Sequence, residues 1–218
     1  MIVAAFYAPR PGYAQHRYDF MECLRLQRAS CQRFDCEHIV LTDLPRLGDF
    51  AVFQTALPLN VMLASLTAHL AYLNSDPNDD VLLLDADGLL NRDPRPLFDG
   101  SFDLAVTTHP FADSILNNGL IAVPKGAALA VAPFWGAALA NCGIEWGQDQ
   151  KALGAAVGAT LNYGVEMREG VRVKFMPCTE HNWAPENEED PVDATFVHFR
   201  GPRKTWMGRW AKRFADGG

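Results

Sequence analysis

Long apolar runs are missing from this sequence. The longest, Gly119 to Ala140, is interrupted by Pro124, Lys125 and Pro133, so it does not read as a membrane span. A basic lead is missing too: the apolar start Met1-Ile2-Val3-Ala4-Ala5-Phe6-Tyr7 is too short for a signal peptide, which predicts a cytoplasmic chain. Cysteine is sparse. The five present (Cys23, Cys31, Cys36, Cys142, Cys178) are odd in number and lack CxxC spacing, which points to buried free thiols rather than structural zinc. Low-complexity tracts, internal repeats and any linker long enough to separate domains are all lacking. The 218 residues can therefore build one sizeable core.

Positive charge is scarce except at one end. The net charge is −7, yet Arg200, Arg203, Lys204, Arg209, Lys212 and Arg213 crowd the last nineteen residues against Asp216 alone. The rest holds 13 basic and 25 acidic residues, or −12, five of the acids falling between 186 and 193. A basic segment on an acidic body suggests local binding of anions such as phosphates; it also fits a solvated basic helix end.

What is present is an alternation of strand and helix patterns. Strands are expected at 2–7, 37–43, 81–84, 102–107, 119–123, 171–176 and 194–199. Helices are expected at 18–33, 57–73, 127–140 (with a break near Pro133) and 149–157, and a turn-rich loop at Pro9-Arg10-Pro11-Gly12. This order predicts an α/β layered fold with a mainly parallel central sheet and helices on both faces, its ligands gathering at the carboxyl ends of the strands.

Val81-Leu82-Leu83-Leu84-Asp85-Ala86-Asp87-Gly88 carries the most chemistry. Four apolar residues suit a strand buried on both faces, and Gly88 allows a turn. In an extended segment Asp85 and Asp87 share a face, with Ala86 turned aside. Ionised carboxylates held that close repel, so the pair implies a cation or a shared proton; a hard divalent ion itself holding phosphates is the economical choice. A solvated turn capping a core strand accounts for the same residues.

Three further clusters follow: Asn117-Asn118-Gly119, then Trp146-Gly147-Gln148-Asp149-Gln150, then His198-Phe199-Arg200-Gly201-Pro202-Arg203-Lys204-Thr205-Trp206. Singly they read as a turn, a helix start and a strand histidine. In this order and spacing, DxD, NxG, DQ and HxxGxxKxW resemble the GT-A glycosyltransferases. The nearest resemblance is to the retaining family-8 type, which includes glycogenin-like enzymes and bacterial lipopolysaccharide galactosyl- and glucosyltransferases. It runs from residue 2 to about 207, which sets off 1–207 as a single nucleotide-sugar-binding and catalytic domain and 208–218 as a basic carboxy-terminal tail.

The resemblance implies a residue-by-residue site. Asp85, Asp87 and His198 would hold Mn²⁺, with Mg²⁺ as the alternative; carboxylates and an imidazole suit Mn²⁺. Gly201 and Lys204 would meet the diphosphate of a UDP-sugar donor, and Tyr7 would stack on its base, although Tyr7 also fits an ordinary core position. Asn117, Asp149 and Gln150 would lie by the sugar, with Gln150 supporting its reacting carbon. Thr205 stands where the family has proline, and the short region holding Asp103 and Asp113 leaves open which of them meets the sugar. The expected activity is transfer of glucose or galactose with retention. The acceptor is left open: a glycan, a lipid-linked glycan, a protein or a modified DNA base. Trp183, Trp206 and Trp210 could stack on it or belong to the core.

Two other readings stand beside this one. LLLDADGLL also resembles the nucleophile motif of haloacid-dehalogenase-like phosphatases, in which Asp85 would attack phosphate and Asp87 act as acid with Mg²⁺. Against it, that motif normally lies on a first strand, and Leu89 replaces the usual threonine. The third reading is a non-catalytic sugar-nucleotide-binding protein.

Overall fold

The computed structural model describes residues 1–10, 19–110, 114–190 and 193–215. Pro11, Gly12, Tyr18, Asp113 and Asp216, which enter the sequence reading, lie outside them. The apolar runs do become strands: β1 (Ile2–Phe6), β2 (Glu37–Thr42), β3 (Ala51–Gln54) and β4 (Val81–Asp85). After the short β5 (Gly88–Leu90) come β6 (Leu104–Thr108), β7 (Leu116–Val123), β8 (Gly164–Arg168) and β9 (Val171–Pro177). Eight of these form one sheet in the order β3-β2-β1-β4-β7-β6-β9-β8. β3, β2, β1, β4, β6 and β9 run one way, while β7 and β8 run against their neighbours. The fold is thus the expected single α/β domain with a mainly parallel sheet.

β4 is central, pairing β1 in parallel and β7 antiparallel, and Val81 to Leu84 are buried. Because β7 is reversed, its amino end meets the carboxyl ends of β1 and β4. That brings Asn117 and Asn118 to the same rim as Tyr7 and Asp85.

Helices cover both faces. On one face lie α2 (Val61–Asn74), α3 (Ala128–Asn141) and α4 (Gln148–Val157), whose Leu66, Leu73, Trp135 and Leu153 share a core with Leu83 and Ile121. On the other lies α1 (Phe20–Gln32), whose Cys31 packs with Leu82, Leu84 and Phe196. α2 begins at 61 rather than 57 because the Asn60 side chain accepts from the Met62 and Leu63 N–H groups and caps it there. α3 runs unbroken through Pro133: the residue is exposed, so the carbonyl it cannot pair faces the wet side of the helix.

The strand expected at 194–199 joins a second, smaller sheet. β10 (Asn182–Trp183), following the single turn α5 (Cys178–His181), pairs β11 (Phe196–His198), which pairs β5 antiparallel with His198 opposite Gly88. A 3₁₀ turn at Gly201–Trp206 then leads into α6 (Met207–Ala215). The basic segment from 208 is therefore helical through Ala215. Met207 and Trp210 are buried against Phe199, Val197 and Cys23. All five cysteines are free thiols: Cys23, Cys31 and Cys36 buried, Cys142 and Cys178 partly so. No described helix is long and apolar enough to cross a membrane.

Candidate functional site

β4 ends at Asp85, the chain turns through Ala86 and Asp87, and β5 carries it into the smaller sheet. Gly88 is needed here for space rather than for the turn. A Cβ on it would lie 2.0 Å from Phe196 Cζ, so glycine is what lets β11 close over β5. The closure delivers His198 from the far end of the chain. Its Nε2 stands 3.3 Å from Asp85 Oδ2 and 3.2 Å from Asp87 Oδ1. The Phe199 N–H donates to the Asp87 carbonyl (2.8 Å) and locks strand to turn.

Gly119 completes the fit. The register between β6 and β7 slips after Val106, so Asn118, Gly119 and Leu120 bulge, and the Thr107 hydroxyl donates to the Asn117 carbonyl across the gap (2.8 Å). A Cβ on Gly119 would sit 2.5 Å from His198 Nδ1. The NxG motif is therefore partly a cradle for the histidine. The same bulge carries Asn117 and Asn118 to the cleft, where Asn118 donates to Asp149 Oδ2 (3.0 Å).

Asp149 lies in the first turn of α4, after Gly147 in the left-handed region at φ 78°. Burial, and then the negative charge of Asp85, push its carboxyl up to about 6. Burial also raises Asp85; His198 pulls it back and the Asp87 charge pushes it up again. Burial alone would raise Asp87 as well, but His198 and the Lys204 ammonium outweigh it and hold that carboxyl well below the usual range. Lys204, on the 3₁₀ turn, pairs with Asp87 Oδ2 and lies 5.5 Å from the Phe20 ring centroid. Phe20 in turn meets Tyr7, centroids 6.5 Å apart. Gly201 opens the 3₁₀ turn at φ 57°, a conformation that favours glycine.

Nine of the residues singled out from the sequence line one cleft of about 550 Å³: Tyr7, Asp85, Asp87, Asn117, Asp149, Gln150, His198, Gly201 and Lys204. Asp103 does not. It sits at the opposite end of β6, paired with Arg172 (2.7 Å). Of the tryptophans, Trp210 is buried edge-on against Phe199, Trp206 packs beside it, and Trp183 lines a neighbouring cleft.

Sequence reasoning missed Gln27. This fully buried α1 residue donates through Nε2 to the Asp85 carbonyl (2.7 Å) and the Gly88 carbonyl (3.2 Å), gripping both ends of the acidic turn. Its Oε1 must then accept, so His38 donates from Nε2 (3.0 Å). Burial, aided by the Arg28 charge, lowers the His38 imidazole to about 4, so it is neutral in that role. Ser30 assists by accepting from the Leu90 N–H (3.0 Å). The signal was present: Phe20, Leu24, Gln27 and Cys31 share a helical face on which glutamine is out of place.

One oxygen from each of Asp85 and Asp87 and one nitrogen of His198 lie within 4.8 Å of one another. Two oxyanions and an imidazole converging in a partly dry cleft are a fitting donor set for a divalent cation such as Mn²⁺ or Mg²⁺.

No family model matches the sequence, and no curated protein does. Solved structures do match. The galactosyltransferase LgtC, in complex with donor and acceptor sugar analogues, superposes with a TM-score of 0.56 at 17% identity, covering 99% of this chain and 94% of that one. A glycosyltransferase involved in glycosylation of the major capsid of PBCV-1 gives 0.58 at 15% identity, over 95% and 98%. The glycosyltransferase GlyE of Streptococcus pneumoniae gives 0.56 at 13% identity, over 97% of this chain and 63% of that one. Likeness at such low identity is likeness of backbone, and on that ground the chain has the GT-A fold of these glycosyltransferases.

Proposed function

We propose that the protein is a metal-dependent retaining glycosyltransferase that moves a hexose, glucose or galactose, from a UDP-sugar to an acceptor. The observation that carries this is the convergence of Asp85, Asp87 and His198 in a cleft that also holds Lys204, Asp149 and Gln150. These parts sit in a fold shared with LgtC, which was solved with donor and acceptor sugar analogues. Among the described residues no feature favours the phosphatase reading. A chain that binds without turnover would pass binding tests and fail the hydrolysis test below.

Asp85, Asp87 and His198 would hold the ion, Mn²⁺ by preference. When bound it supplies Lewis-acid charge for the donor's diphosphate. Lys204 now pairs with Asp87; on donor binding its ammonium is placed to move to the phosphates and offset charge growing on departing UDP. Phe20 and Tyr7 form an aromatic wall for the base. Across the cleft, Asn117, Asp149 and Gln150 would hold sugar hydroxyls, and the Gln150 amide would face the reacting carbon without a lasting covalent bond. The acceptor then attacks on the face the phosphate leaves, and a phosphate oxygen takes its proton. All of this chemistry suits a cytoplasmic pool of UDP-sugars.

A thermal-shift screen of nucleotide sugars with Mn²⁺ tests the reading. A donor at 100 times its Kd adds about 2.7 kcal/mol of stability and raises Tm. UDP-glucose or UDP-galactose should do so and should be hydrolysed slowly without acceptor. No shift and no hydrolysis with any nucleotide sugar would refute it.

A further inference from the structure

Beside the donor cleft is a second one of about 360 Å³, and Arg200 lines both. Arg203 lines the second only. Both arginines lie at the start of the 3₁₀ turn. Arg200 caps it and Arg203 follows three residues on, its N–H donating to the Arg200 carbonyl (3.3 Å). Lys204, the next residue, lines the donor cleft instead and pairs with Asp87.

Both guanidinium groups are half-buried, and neither has an ion-pair partner among the described residues. Glu186 lines the same cleft but pairs with neither. Two unpaired, partly desolvated cations three residues apart repel, in a chain whose other charges sum to strong negativity. Such a pair is stabilised by an anion, and guanidinium forks match carboxylate and phosphate oxygens in pairs. The rest of the cleft suits a sugar: Tyr163, half of whose surface is exposed, and Trp183 supply aromatic faces, and His109 adds a ring. Burial, and then the Arg200 charge, keep that imidazole below its ordinary range and so neutral.

We infer that this second cleft is the acceptor subsite and that it selects a saccharide carrying an anionic group, a uronic-acid carboxylate or a sugar phosphate, held by Arg200 and Arg203 against Tyr163 and Trp183. The role of acceptor rests on the donor reading above; the selectivity for charge does not. Because Arg200 belongs to both clefts, an acceptor anchored on it lies next to the donor's reacting end.

The test is an NMR titration of the full chain in EDTA, without nucleotide, using methyl β-D-glucuronide, glucose 6-phosphate and methyl β-D-glucoside. The removal of metal keeps the acidic probes from binding through it. At least one acidic probe should bind about tenfold more tightly than the neutral one, a ratio set by charge-assisted hydrogen bonds to part-exposed groups. Arg203→Gln should abolish that preference, Arg203→Lys restore part of it, and Tyr163→Ala weaken all three probes alike. The stronger of the two acidic probes identifies the anion as carboxylate or phosphate. Equal binding of neutral and acidic probes, or acidic binding indifferent to Arg203→Gln, would overturn the inference. Acidic binding together with a silent nucleotide-sugar screen would retire the donor reading and leave the charge selectivity standing.

Discussion

Gly119→Ala adds one methyl group and should disable the metal site. Ordinary contact begins at 3.4 Å, and the new carbon would lie 2.5 Å from His198 Nδ1 and 2.7 Å from Cε1, so the ring must retreat about 0.9 Å. The histidine backbone cannot follow, because β11 is paired with β5 and the Phe199 N–H is bonded to the Asp87 carbonyl. The ring must swing instead, carrying Nε2 away from carboxylates now 3.2 and 3.3 Å off. Overpacking of this kind costs about 1–3 kcal/mol of stability. Misplacing a ligand through its support typically costs about 10–100-fold in metal affinity. Calorimetric Mn²⁺ titration of the folded variant, with Tm in EDTA alongside, measures both. Gly136→Ala is the control: it lies on α3 with open space around its Cβ and should be neutral or stabilising by up to about 1 kcal/mol. A Gly119→Ala protein that binds Mn²⁺ like the wild type at an unchanged Tm would refute the cradle.

Asp149 gives a signed pH effect. Its carboxyl is raised from 3.8 to about 6 by burial first and Asp85 second. Stability from this group is thus complete below pH 3.8 and is lost as pH climbs through 6, about 3 kcal/mol in all. Denaturant curves in EDTA should show Asp149→Asn gaining on the wild type across that window, and a flat difference from pH 4 to 7 would be contrary. Gln27→Leu should cost about 2–4 kcal/mol in chemical denaturation, because it strands the Asp85 and Gly88 carbonyls and the His38 N–H; a loss under 1 kcal/mol would mean those groups find other partners. Trp210→Ala should cost about 3–5 kcal/mol if α6 is integral to the fold, whereas a freely attached tail would tolerate it.

Much of the scaffold was legible because its strands are continuous apolar runs and its helices carry apolar stripes. β3 and β8 escaped because they are short edge strands: β3 has no two-residue alternation, and in β8 the alternation is only Val165 and Met167, too few to mark a strand and both exposed. β5 escaped because three residues after a glycine carry no periodicity of their own. Within the site, the acidic pair at the end of β4 could be argued from electrostatics alone. His198 could not: it reaches Asp85 through pairing of β11 with β5, which no local pattern encodes, and only the motif order pointed to it. The true duties of Gly88 and Gly119 are set by Phe196 and His198, residues remote in sequence, so their turn-like appearance misled. The second cleft draws Tyr163, Trp183 and Arg203 from separate segments and was invisible until they met.

The most direct test is UDP binding with Mn²⁺ and with EDTA, in the wild type and in Asp85→Asn, Asp87→Asn and His198→Ala. If these three side chains hold the ion that grips the diphosphate, Mn²⁺ should tighten UDP binding to the wild type by about tenfold or more, by linkage between the two ligands. Each variant should bind UDP as the wild type does in EDTA. Tightening by Mn²⁺ that survives His198→Ala, or UDP affinity indifferent to the metal in the wild type, would contradict the claim.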